Sequence, residues 1–87
     1  MARNYFNPQY KRWRLAIYRR DKYKCQFPGC KQCHRLQAHH ILPWADYPRL
    51  RFEISNGITL CRYHHNMSKG KEGVYIALFL NILRRKK

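Results

Sequence analysis

The chain has 87 residues, with 19 Lys and Arg against four Asp and Glu, for a formal net charge of +15. One domain of this size sits near the limit at which an apolar core alone stabilises a fold, so a staple of disulfides or metal is expected. A charge this one-sided works against compaction and is not the mixed-sign surface of a merely solvated protein, so it points to a polyanion partner. Nucleic acid is favoured over a membrane surface, because the basic residues run along the whole chain rather than down one helix face. The longest apolar run, "VYIALFL", is too short to cross a bilayer. The opening "MARNYFNPQYKRW" has no apolar signal core, so a cytoplasmic setting is expected, where thiols stay reduced and ligate metal instead of forming disulfides.

In chain order, "NPQYKRWRLAIYRRD" reads as a helix over about 8–21, capped by Asn7 with Pro8 at its first position. Tyr10, Trp13, Ile17 and Tyr18 fall on one face, and core packing is the expected role of that face. Pro28-Gly29 marks a turn between Cys25 and Cys30. "RLQAHHIL" reads as a short strand, "WADYPRLRFEIS" as a connecting loop broken by Pro48, and Asn56-Gly57 as a turn. After the apolar "ITL", "CRYHHNMSKGK" suits a helix start, and Gly70 and Gly73 interrupt the chain beyond it. The last segment is predicted helical over about 73–86 and apolar nearly all round. It is therefore either buried or a cover for a partner, with homodimerisation through Val74 to Leu83 and burial within the monomer as equal alternatives.

Four of the five histidines stand in two doublets, His39-His40 and His64-His65. Cys25-x4-Cys30 and Cys61-x2-His64 form two ligand pairs with spacing suited to tetrahedral Zn²⁺. Cys30-x2-Cys33, followed by His34, is also a respectable pair, and spacing alone leaves Cys30, Cys33, Cys61 and His64 open as a second ligand set. A closed structural site takes four ligands. With Cys25, Cys30, Cys61 and His64 assigned, His39, His40 and His65 remain, and a pure zinc ribbon has no use for them.

The motifs "CQFPGC", "LQAHHILP", "NGITLC" and "CRYHH", in that order and led in by "YRRDKYKCQ", resemble the HNH endonuclease family, in the small free-standing form of phages and bacteria. The likeness spans most of the chain, with a core over about 23–71 of a single domain covering 1–87. It implies an α+β fold: a small zinc-stapled ββα-metal (His-Me finger) domain flanked by N- and C-terminal helices. It also implies roles. His40 would be the general base, His39 and His65 would bind a catalytic Mg²⁺ or Mn²⁺, and Asn56 would hold the loop that orients His40. The family's spacing from cysteine pair to histidines is matched by Cys30 and not Cys33, which favours Cys25, Cys30, Cys61 and His64 as the structural Zn²⁺ ligands. His64 stands where the family commonly has Cys, and imidazole replaces thiolate acceptably on zinc.

The implied activity is hydrolysis of DNA phosphodiester bonds, nicking or cutting, in the cytoplasm (the host's, for a phage protein). Neutral imidazole can take a proton from water near neutral pH, and a divalent ion supplies positive charge to the phosphate. The alternative is a catalytically silent zinc module that only binds nucleic acid, for which a base at His40 would be idle. Two geometric expectations follow. Adjacent strand residues point to opposite faces, so His39 and His40 can share a site only if the strand ends or bends near Pro43. His40 is also expected to touch neither the zinc nor the core.

Overall fold

A computed structural model of the chain describes residues 7–85. Helix α1 (Pro8–Arg20) starts where its cap dictates: the Asn7 side chain accepts a hydrogen bond from the Gln9 N–H at 2.7 Å, and Pro8 opens the first turn. After it the chain reverses through Lys22 and Tyr23, both left-handed at φ 57° and 56°, a conformation that costs an L residue about 1–2 kcal/mol. Asp21 holds this turn in place. Its buried carboxylate takes two hydrogen bonds from the Arg20 guanidinium, at 2.8 and 2.9 Å, and one from the Thr59 N–H at 2.9 Å. Arg20 donates further to the carbonyls of Ile54 and Gly57, so one ion pair fastens α1 to the sheet.

Strands β1 (Leu36–His40) and β2 (Gly57–Cys61) pair antiparallel, with Ala38 opposite Thr59, His39 opposite Ile58 and His40 opposite Gly57. The segment between them, expected as an open loop, contains two 3-10 turns, Pro48–Leu50 and Ile54–Asn56. Helix α2 (Arg62–Ser68) comes directly after β2, completing strand, strand, helix, and α3 (Glu72–Arg84) closes the described chain. Gly70, at φ +77°, turns the chain between them.

Strand alternation sorts the core into two halves. Ala38 packs with Tyr10, Trp13 and Ile17 of α1 on one side of the sheet. Ile58 and Leu60 pack with Cys25, Ile41, Cys61 and Phe79 on the other. Of the expected α1 face, Tyr10, Trp13 and Ile17 are buried and Tyr18 is half-buried, its hydroxyl donating to the Leu36 carbonyl.

Two sequence expectations change. Asn56-Gly57 is not a hairpin turn: Gly57 is extended (φ −134°, ψ 151°) and opens β2. Its glycine identity answers to packing, since a Cβ there would stand 2.6 Å from both Ile17 Cδ1 and Trp13 Cζ2. Nor is α3 uniformly covered. Phe79 is buried and Leu78, Ile82 and Leu83 are half-buried against the core, whereas Val74 and Leu80 are exposed. The expected extension of this helix to residue 86 lies outside the described residues. No helix among the described residues is long and apolar enough to cross a membrane.

Candidate metal centre and catalytic cavity

The turn at Phe27–Cys30 and the first turn of α2 bring four side chains together. The donor atoms of Cys25, Cys30, Cys61 and His64 all lie within 4.8 Å of one another. His64 Nδ1 is 3.2 Å from Cys61 Sγ and 3.6 Å from Cys25 Sγ, and the sulfurs of Cys30 and Cys61 are 4.0 Å apart. Ligands about 2.0–2.3 Å from a tetrahedral ion stand roughly 3.3–3.8 Å from each other, so this set fits a metal ion of that kind. Cys33, the alternative ligand, is exposed and outside the cluster.

The shifts at Cys61 and His64 favour the ligating forms, whereas that at Cys25 opposes it. Burial pushes the Cys25 thiol up to about 12, so without a cation it is a neutral thiol, and metal binding must displace its proton. Burial also raises Cys61, but hydrogen bonds from the His64 backbone, the Cys25 and Cys30 thiols and the Tyr63 backbone outweigh it and bring the group below the ordinary thiol range. Burial lowers His64, which favours the neutral imidazole that binds metals. Its ring is fixed by stacking on Phe27, at 4.2 Å between centroids and 8° between planes.

The second histidine of the doublet turns elsewhere. Successive helical residues project about 100° apart, and His65 faces His39 across 5.6 Å between ring centroids, at 77°. His39, on the α2 and α3 side of the sheet, also meets the Phe79 ring edge-on at 5.4 Å. His40, one residue on, lies on the α1 side and stacks on Trp13, at 4.1 Å and 10°. The two strand histidines therefore do point to opposite faces. They share a site because β1 ends at His40: a cavity of about 300 Å³ at the strand end is lined by His39, His40 and His65, with Pro43, Trp44, Ala45, Lys69 and Glu72 completing its wall.

His40 corrects one expectation. It is buried and packs against the Trp13 half of the core, with Trp44 edge-on at 5.4 Å. Gly57 is its partner across the strands, and the missing side chain there is what lets the Trp13 ring close over the imidazole. His40 Nε2 lies 2.8 Å from the Arg51 carbonyl. A carbonyl only accepts, so Nε2 carries the proton and Nδ1 the lone pair. Asn56, buried, fixes the loop that presents this carbonyl: its Oδ1 accepts from the Leu42 N–H at 2.8 Å, and its Nδ2 donates to the carbonyls of Leu42 and Leu50, each at 3.2 Å. Arg51 braces the same loop, with Nε donating to the Trp44 carbonyl and the guanidinium 4.5 Å from the centre of the Trp44 ring.

Sequence reasoning did not single out Trp13, Trp44, Arg51, Lys69 or Glu72 for this site. Lys69 had a local signal, four residues after His65. Glu72 had none, because it reaches the cavity only through the turn at Gly70, whose N–H its carboxylate accepts at 3.1 Å.

No curated protein and no solved structure matches the chain. Residues 25–68 match the family model described as HNH endonuclease. The matched stretch runs from the first cysteine of the metal cluster to the last residue of α2 and takes in both histidine doublets and Asn56, and on that match, over half of its length, the chain belongs to the HNH endonuclease family.

Proposed function

We propose that this protein is a metal-dependent endonuclease that hydrolyses DNA phosphodiester bonds. His40 is the general base, His39 and His65 are the protein ligands of one catalytic Mg²⁺ or Mn²⁺, and Cys25, Cys30, Cys61 and His64 hold a structural Zn²⁺. The observation that carries the reading is the meeting of three imidazoles, two from opposite faces of β1 and one from α2, in one cavity at the end of the strand. Packing explains one such histidine at a time; it does not explain three lining one space.

A divalent ion bound there would act as a Lewis acid, neutralising charge on the phosphate and the departing 3′ oxygen. The remaining roles belong to the chain. Arg51 fixes the His40 tautomer through its carbonyl, and Asn56 fixes the loop that carries Arg51. Nδ1 of His40 then takes a proton from water, the water oxygen bonds to phosphorus, and the bond to the 3′ oxygen breaks. Nδ1 is shielded in this conformation, so the step requires that water be admitted to it. Glu72 places a carboxylate in the same wall, the donor type that hard cations prefer.

His40→Gln tests the reading, because Gln can still donate to the Arg51 carbonyl but cannot accept a proton from water. Cleavage of supercoiled DNA in Mg²⁺ or Mn²⁺ is expected to fall by about 10²–10⁴-fold, with zinc content and DNA binding retained. A folded His40→Gln protein that still cuts would overturn the base assignment. A zinc-loaded native protein that binds DNA and never cuts would establish the silent module instead.

A further inference from the structure

Beyond His65 the cavity does not close. It continues into an open trough along β1 and α2, sharing His65 and Lys69 with the cavity and then passing between Arg35 and Arg62 to Tyr63. Glu72, at the cavity end, is the one carboxylate among the residues lining this path; farther out the walls are Arg35, Arg62, Lys69 and neutral amides such as Gln37 and Asn66. Among the described residues Arg35, Arg62 and Lys69 have no carboxylate partner, and all three are exposed.

One feature marks this path as more than a solvated basic face. Tyr63 is 70% exposed, yet its ring is steadied edge-on by His64 at 5.0 Å. An aromatic face held open at the end of a cationic groove is the arrangement that binds single-stranded nucleic acid: the cations track the backbone and a base stacks on the ring.

We infer that this trough holds one DNA strand as it leaves the cavity. Arg35 and Arg62 take its phosphates, and Tyr63 stacks a base. The inference rests on the proposed nuclease site for its direction and adds which strand path the protein uses. Such contacts position the strand without reading its sequence.

The test uses the full chain carrying His40→Gln, with zinc retained and no added Mg²⁺, so that binding is measured without cleavage. Affinity for a single-stranded oligonucleotide is measured against salt. Arg35→Ala with Arg62→Ala is expected to lower the slope of log K against log salt by about 1.4, at roughly 0.7 per phosphate contact. Arg12→Ala with Arg19→Ala, on α1 across the sheet, changes the same number of charges and is expected to move the slope less. Tyr63→Ala is expected to weaken single-strand binding by about tenfold, with zinc content confirming an intact fold. An equal slope loss from both arginine pairs, or unchanged binding by Tyr63→Ala, overturns the assignment. Trough-dependent binding by a native protein that never cuts sinks the nuclease reading alone, and a cutting enzyme indifferent to Arg35 and Arg62 sinks the trough alone.

Discussion

His64 and His65 are neighbours in the chain, yet they serve two regions built on opposite plans. His64 points into three cysteines, stacked on Phe27 with its donor nitrogen within 3.6 Å of two sulfurs. His65 points into a cavity of about 300 Å³ whose other histidines come from a strand. The first region is closed and local: each of its ligand pairs lies within one turn or helix start. The second is open and non-local: its His40 is held by Trp13 from α1, by a carbonyl at Arg51 and by a loop pinned from Asn56. A short helix can serve both because adjacent residues diverge by about 100°. The difference predicts that damage to the closed cluster unfolds the protein, while damage to the open one disables it.

The largest effect is expected from removing the Zn²⁺ proposed for the closed cluster. In a small metallo-domain the binding energy of the ion is largely the folding energy, so chelation, or Cys61→Ser, should abolish the cooperative melt seen by circular dichroism. An unchanged melt after chelation would leave the cluster without its proposed structural role.

A smaller effect, aimed at the open region, comes from Gly57→Ala. The added methyl would meet Ile17 and Trp13 at 2.6 Å, and such overpacking typically costs about 1–3 kcal/mol. Because Trp13 is the face on which His40 stacks, cleavage should fall further than stability alone explains, with zinc content unchanged. Loss of zinc in this variant would mean that the two regions are not separable.

Smallest of all is Cys33→Ser. Cys33 is exposed and stands apart from the four clustered donors, so melting temperature and zinc stoichiometry should match the native protein. A change like that of Cys61→Ser would redraw the ligand set.

Legibility in the sequence divides along the same line. The cysteine and histidine spacings are local chemistry, so the donor set could be proposed from spacing and resemblance, and the strand and helix carrying the doublets came from short-range pattern. The environment of His40 was not legible. Trp13 read as ordinary core and Asn56-Gly57 as a turn, because neither the stacking of Trp13 on His40 nor the close approach at Gly57 exists until α1 is laid across the sheet. Glu72 reached the cavity in the same way, through a chain reversal that leaves no periodicity behind.

The central claim is that one helix presents two adjacent histidines to two different sites, and the direct measurement is zinc stoichiometry and nuclease rate on His64→Ala and His65→Ala side by side. His64→Ala is expected to lose zinc affinity and melting temperature, with His64→Cys restoring both, since thiolate serves equally at that position. His65→Ala is expected to keep zinc and fold while losing cleavage. If His65→Ala loses its zinc and His64→Ala remains zinc-bound and active, the two sites have been assigned the wrong way round.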